Sequence, residues 1–330
     1  MPQILVQDLA KTYRVAEREP GVLGAVRGLV RRRTRTVEAL KDVSFSLEAG
    51  ELLGFIGPNG AGKSTTIKIL SGILRPDSGR VEIDGLVPYA DRIAHVSRIG
   101  VVFGQRTQLW WDLPVIDGFD LLRDIYRVDP ARYARTRDEL VTLLRLERIL
   151  DQPVRQLSLG QRMRAEIAAA LLHEPSILFL DEPTIGLDAP SKLAVRDFVK
   201  RRNRERGVTV LLTTHDMHDI EALAERVIVI GHGRVLADSP FETLRTDVLR
   251  ERRLFVDFAA EAPLIDLPGV QVRGRNGKSL ELAFDPLVIS APRLIAAITA
   301  DYPVEDIHVE QPAIEEVISR FYDLHGAAEA

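Results

Sequence analysis

Cysteine is absent from the 330 residues. That excludes disulfides and a catalytic thiol, and it suits a reducing compartment. No stretch approaches the roughly 20 consecutive apolar residues that a helix needs to cross a bilayer. The opening Met1-Pro2-Gln3-Ile4 has neither the basic nor the apolar region of a secretion signal. These absences lead us to expect a soluble, cytoplasmic chain that reaches a membrane only through a partner. A net charge of −4 gives no general attraction for nucleic acid, and none is expected as a partner. Repeats and low-complexity tracts are missing. The apolar share of 45% is ordinary, enough to build one large α/β domain and a smaller one.

Against this plain background one stretch stands out: Gly57-Pro58-Asn59-Gly60-Ala61-Gly62-Lys63-Ser64-Thr65. An apolar run, Leu52 to Ile56, precedes it and reads as a buried strand. Thr66 to Leu70 follows with the apolar spacing of a helix. Strand, glycine-rich turn and helix together turn the G-x-x-x-x-G-K-S spacing into a phosphate site. Glycines let successive N–H groups close on one anion, and the helix N-terminus adds its own donors. Lys63 supplies a mobile positive charge for the β- and γ-phosphates. Ser64 supplies a hard oxygen for Mg²⁺. The expected ligand is a nucleoside triphosphate.

Two further stretches extend the chemistry. Ile177-Leu178-Phe179-Leu180-Asp181-Glu182 is an apolar strand ending in two acids. Open α/β sheets bind ligands at such carboxyl ends. Asp181 is placed to hold Mg²⁺, and Glu182 to polarise a water for attack on the γ-phosphate. His215 follows the strand Val210 to Thr213. If that strand neighbours the one ending in Asp181, a neutral imidazole stands near the γ-phosphate and can order the attacking water.

Leu157-Ser158-Leu159-Gly160-Gln161 precedes a marked helix. Ser158, Gly160 and the first N–H groups of that helix form a second anion cradle, or else Ser158 is simply a helix cap. One triphosphate does not need two cradles. Two copies arranged head to tail, with nucleotide between them, would use both.

In this order these motifs resemble the nucleotide-binding subunit of ATP-binding cassette (ABC) transporters, over about the first three quarters of the chain. The resemblance implies an ATPase with a P-loop cassette: a mixed-sheet core, an antiparallel β subdomain and a helical subdomain. ATP and Mg²⁺ are the implied cofactors. By the same resemblance Tyr13 stacks on adenine, and Gly57 to Thr65 is the Walker A loop. Gln105 senses Mg²⁺ and the attacking water and couples to the membrane partner. Ser158, Gly160 and Gln161 belong to the signature motif that meets the other copy's ATP. Asp181 and Glu182 are the Walker B aspartate and catalytic base. Asp188 lies in the D-loop, and His215 is the switch histidine. Lys63, Gln105, Glu182 and His215 thus form the implied catalytic set; Ser64, Gln105 and Asp181 form the metal set. Two departures stand out. Leu159 replaces the family's usual glycine, and a long insert, Arg14 to Val37, follows Tyr13.

We expect an ATPase domain over 1–246, with the insert at 14–37 and a helical subdomain at about 106–172. A small α+β accessory domain is expected over 247–330. Val22, Leu23, Val26, Leu29 and Val30, followed by Arg31 to Arg33, suit a short basic amphipathic helix at a membrane surface or under a permease; a solvated surface hairpin suits them equally. Trp110 and Trp111 either anchor a permease in a groove or fill the core of the helical subdomain. The small C-terminal part resembles that of drug- and antibiotic-export subunits of the ABC-2 type. The expected partners are a second copy and an integral-membrane permease, which places the chain at the cytoplasmic face of the membrane. A polysaccharide or glycan exporter ATPase is the alternative that the insert favours. A soluble ABC ATPase uncoupled from transport would need two cassettes or long heptad arms.

Overall fold

The computed structural model describes residues 2–16, 34–104, 106–248, 251–310 and 314–324. It divides into two compact units, Met1–Pro240 and Phe241–Ala330. The amphipathic segment expected at Gly21 to Arg33 and Gln105, the expected sensor, lie outside the described residues.

The first unit begins with an antiparallel pair, β1 (Ile4–Ala16) and β2 (Thr34–Leu47). They run for 13 and 14 residues. Tyr13 pairs with Val37 and Arg14 with Thr36, so the ends of the insert continue the ladder. Next come β3 (Leu52–Ile56), α1 (Lys63–Leu70), β4 (Ser78–Ile83), α2 (Arg92–Val96) and β5 (Ile99–Phe103). β4 joins β1 and β2 in a three-stranded antiparallel sheet of order β2-β1-β4.

A helical block follows: α3 (Val115–Tyr126), α4 (Pro130–Leu144) and α5 (Leu159–Leu171). The chain then alternates through β6 (Ile177–Asp181), α6 (Ala189–Arg206), β7 (Thr209–Thr214), α7 (Met217–Leu223) and β8 (Arg226–Gly231). A last strand, β9 (Arg234–Pro240), closes the unit. Its half-exposed positions hide it from a search for apolar runs; it pairs antiparallel with β8 on the sheet edge.

The second sheet has six strands in the order β5-β6-β7-β3-β8-β9. All but β9 run parallel. β3, β6 and β7 are buried at every position, as strands covered on both faces must be. This order sets the carboxyl ends of β3, β7 and β6 side by side, with Ile56 opposite Thr214 and Asp181 opposite Thr213. The phosphate loop, the acidic pair and His215 all leave the sheet there.

The second unit opens with α8 (Phe241–Val248), followed by β10 (Arg252–Phe258), β11 (Val270–Asn276), β12 (Ser279–Phe284), α9 (Ala291–Asp301), β13 (Val304–Glu310) and α10 (Ile314–Leu324). The strands make one antiparallel sheet of order β11-β12-β10-β13. Leu294 and Ile298 of α9 close its core over Leu254, Val256, Leu280 and Leu282. The division falls ahead of the 246/247 boundary expected from sequence because α8 packs with α10. Among the described residues no helix is long and apolar enough to cross a membrane.

Candidate functional site

The loop Gly57 to Gly62 leads from β3 into α1, whose N-cap is Gly62 at φ 113° with no side-chain cap. A Cβ there would stand 2.7 Å from the Ala39 carbonyl oxygen, so both conformation and space require glycine. The first bond of the helix is Thr66 N–H to Gly62 O at 2.9 Å. The N–H groups of Lys63, Ser64 and Thr65 precede it and have no partner within the helix. They open onto a cleft that is also lined by Ala39, Asn59 and Glu182. Lys63 is buried, and its ammonium donates to the carbonyls of Gly57 (2.6 Å) and Pro58 (3.1 Å). Burial pushes its pKa down, while Glu182 and Asp181 pull it back up.

The acids sit as the strand order demands. Asp181 Oδ1 accepts from the Ser64 hydroxyl at 3.1 Å and from the Thr213 hydroxyl at 2.6 Å. Glu182 follows with φ 53°, in the left-handed region that few non-glycine residues occupy. Such backbone costs about 1–3 kcal/mol and collects at functional sites. The turn separates the two carboxyls: Asp181 faces Ser64, and Glu182 Oε1 lies 3.4 Å from His215 Nδ1. The side chain of Glu182 is mostly covered, that of His215 about half exposed.

Lys63, Ser64, Asp181, Glu182 and His215 therefore converge at one sheet end. Two residues that the motifs did not reveal complete the frame. Thr213, one of the three threonines of β7, is the one opposite Asp181, a signal visible once strand order is known. Asp219, wholly buried, accepts from the hydroxyls of Thr184 and Thr214 (3.0 Å) and from Arg196 Nε (2.6 Å). It ties the turns after β6 and β7 together. Nothing in its spacing distinguishes it from a solvated acid.

A second group stands apart: the lining of the cleft includes none of Ser158, Gly160, Gln161 and Asp188. Ser158 caps α5, accepting from Gln161 N–H at 3.2 Å, while Gln161 Oε1 accepts from Ser158 N–H at 2.9 Å. Both alternatives for Ser158 are thus compatible: it is a cap, and it is exposed. Gly160 lies so close to α6 that a Cβ would sit 2.5 Å from Ser191 Oγ. Asp188 caps α6 by accepting from Ser191 N–H at 3.0 Å, and bonds to Ser191 hold its carboxyl below the usual range. Leu159 packs against Gly186. Tyr13, half-buried in the β1–β2 ladder, also lies outside the cleft lining. Trp110 and Trp111 are exposed, which removes them from the core of the helical block.

For Mg²⁺, the Ser64 and Asp181 oxygens form a hard donor pair. Among the described residues no cluster of three or more His, Cys, Asp or Glu side chains could hold a metal. The pair fits an ion that takes its remaining ligands from phosphate and water.

A family model described as ABC transporter matches residues 40–185. The daunorubicin resistance ATP-binding protein DrrA3 of Streptomyces coeruleorubidus is 35% identical over 289 residues, covering 85% of this chain and 90% of that protein. The ABC transporter ATP-binding protein NatA of Bacillus subtilis is 32% identical over 64% of this chain and 86% of its own length. The methionine import ATP-binding protein MetN of Latilactobacillus sakei is 29% identical over 87% and 86%. Among solved structures, the dimeric post-hydrolysis state of the ATP-binding cassette MJ0796, bound to ADP and Pi, aligns with a TM-score of 0.60 at 28% identity, covering 72% of this chain and 98% of that one.

Proposed function

This chain belongs to the family of ABC transporter ATP-binding proteins, and from that premise we propose that it powers export through a separate membrane permease of the ABC-2 type. It is an ATP hydrolase of the ABC class and the ATPase subunit of a transporter. The observation that supports export is the DrrA3 alignment. It spans 85% of the chain, more than the unit Met1–Pro240 holds, so the likeness extends into the second unit. Import ATPases align over similar lengths at lower identity, and transport direction is what the experiment must separate.

In the proposed cycle ATP lies in the cleft with its phosphates on the N–H groups of Lys63, Ser64 and Thr65. Lys63 leaves the Gly57 and Pro58 carbonyls to meet the β- and γ-phosphates. Ser64 and Asp181 would hold Mg²⁺, which neutralises phosphate charge when bound. A second copy brings Ser158 and Gly160 over the γ-phosphate, as expected of a family in which homologous cassettes form dimers. Glu182 takes a proton from the attacking water. The water oxygen bonds to phosphorus as the bond to the bridging oxygen breaks, leaving ADP and phosphate. His215, beside Glu182, fixes that water. Closure of the two copies then moves the permease.

The test is to co-express the chain with a candidate multi-span permease and prepare inside-out vesicles. We expect recovery with the membrane only when the permease is present. ATP added outside should load a fluorescent amphiphilic drug into the vesicles. ATP-driven depletion of the vesicles would support import instead, and recovery with ribosomes would defeat the transporter reading.

A further inference from the structure

Glu166 is a charged residue on the inner face of α5, with 3% of its surface exposed. A carboxylate so placed must be hydrogen-bonded or become a liability. Its partners are concentrated on a single segment, the stretch that begins two residues after Gln105. The Thr107 hydroxyl and Leu109 N–H (3.4 Å) donate to Oε1, and Gln108 N–H donates to Oε2 at 3.1 Å. Gln108 Nε2 returns to the Glu166 carbonyl at 3.0 Å. Burial raises the carboxyl's pKa, and these bonds oppose that shift. One side chain thus organises three consecutive residues.

The same segment is fastened at its far end. Trp111 O accepts from Arg155 N–H at 3.0 Å and Leu113 O from Val154 N–H at 3.1 Å. Arg162, on the first turns of α5, sits 5.6 Å over the Trp111 ring. Residues 154–155 lead directly into Ser158. The exposed tryptophan surface is therefore tied to the helix carrying Ser158 both just ahead of its N-cap and, through Glu166, two turns along it. A charge on this inner face was not required for packing, because its neighbours Ala165 and Ile167 to Leu171 are apolar and buried.

We propose that Glu166 is a positioning residue that locks the segment Thr107–Leu113 to α5, so that the Trp110–Trp111 surface and Ser158 shift as one piece. This rests on the proposed dimer, in which Ser158 meets the partner copy's nucleotide. Glu166→Gln turns one of the two acceptor oxygens into an NH2 donor. Leu109 N–H keeps Thr107 Oγ1 (3.1 Å) and the Thr107 hydroxyl keeps Leu109 O (3.1 Å), so Gln108 N–H loses its acceptor and the tie between segment and helix weakens. Nucleotide binding by a single copy involves none of these atoms and is untouched.

The chain carries its own probe, because Trp110 and Trp111 are its only tryptophans. In full-length Glu182→Gln protein, ATP-driven dimerisation is followed by light scattering and tryptophan emission together. We expect emission to change with dimer formation, and the change to shrink in Glu182→Gln/Glu166→Gln and, less, in Glu182→Gln/Thr107→Val. Affinity of the single copy for a fluorescent ATP analogue should stay within about twofold. In the otherwise native chain Glu166→Gln should lower turnover about tenfold, the loss expected for a broken buried network. A dimer that forms with emission unmoved, or a Glu166→Gln protein that keeps the full response, overturns the linkage while the ATPase reading stands. If ATP yields no dimer of the Glu182→Gln protein, the dimer reading fails and the linkage falls with it. Thr107→Val keeps the charge in place, so it tests the contact even if the Glu166 variant folds poorly.

Discussion

Two helix N-termini in the first unit face solvent with opposite economies of hydrogen bonding. At α1 the N-cap is Gly62, no side chain caps the helix, and three N–H groups open into a cleft. At α5 Ser158 and Gln161 cap each other in a reciprocal box. The first terminus has no intrahelical acceptor for its N–H groups, and the buried Lys63 is held on the loop carbonyls. The second has its Gln161 N–H satisfied by Ser158, while the Leu159 and Gly160 N–H groups have no partner within the helix, and it is half open to water. An unsatisfied terminus suits a ligand held before anything else binds. A partly capped terminus suits one met late, on another molecule's surface.

Chemistry should follow the first terminus, and the largest effect is expected there. Glu182→Gln keeps shape and hydrogen-bonding reach but cannot accept a proton. We expect phosphate release to fall by about 10²–10⁴, the usual contribution of a general base, with ATP affinity kept. Turnover at the native rate would remove Glu182 from the reaction.

The two helices also end on comparable devices. His95 Nε2 meets the Leu70 carbonyl at the C-terminus of α1, at 2.7 Å. His173, just beyond α5, meets Ile99 O at 2.9 Å and stacks on Tyr126 at 3.9 Å between ring centres. A helix C-terminus favours a charged imidazole, yet burial wins at both: the pKa of His95 is lowered and that of His173 falls to about 4. His173 is the sharper case, because its Nδ1 has no partner and could accommodate a proton only as an unpaired buried charge. Unfolded chain takes up a proton at about pH 6.5, whereas folded His173 resists it down to about 4. Between those values the unfolded state binds more protons, so stability is whole above about 6.5 and lost as pH falls toward 4. The loss reaches about 3 kcal/mol for His173, with His95 adding in the same direction. Urea unfolding at pH 7 and pH 5 checks it; equal stabilities would show that His173 is not held neutral.

Binding divides the two termini next. Lys63→Ala should weaken ATP binding by a single copy about 10- to 100-fold, the worth of a charge-assisted hydrogen bond. Ser158→Arg should leave that affinity alone and abolish the ATP-dependent dimer. Equilibrium dialysis and light scattering read the two effects separately. If Ser158→Arg weakened single-copy binding as Lys63→Ala does, the two termini would serve one nucleotide within one chain.

How far these features could be read in advance depended on whether local chemistry announces them. The phosphate loop carries its own glycines and lysine, and Asp181-Glu182 ends an unmistakable apolar strand, so both were legible. The adjacency of β6 and β7 followed from alternation of strand and helix, and it put His215 beside Glu182. What stayed hidden depends on partners distant in sequence. β1 and β2 extend because they pair across the insert, and β9 exists because β8 offers an edge. Glu166 and Asp219 resemble surface acids on amphipathic helices. Only folding shows that Glu166 meets residues 107–109 and that Asp219 meets Thr184 and Arg196.

The smallest effect probes the second terminus from inside. A hydroxyl has one donor and two acceptor sites. Ser158 Oγ uses one acceptor site on Gln161 N–H, so its own O–H stays free to reach a phosphate without dismantling the cap. The cap therefore aims the hydroxyl rather than competing with it, and two substitutions separate the roles. Gln161→Ala loses the reciprocal bond to Ser158 N–H but keeps the hydroxyl and its cap. Ser158→Ala loses both, at about 1 kcal/mol of stability for the missing cap. If the hydroxyl meets the partner copy's phosphate, Ser158→Ala should also lower turnover about tenfold, near the worth of one hydrogen bond to a charged group, and Gln161→Ala should lower it less than twofold. Thermal unfolding read beside phosphate release decides between them. Equal losses of turnover would mean that the box matters only as a cap, and the second terminus would then act through its backbone N–H groups alone.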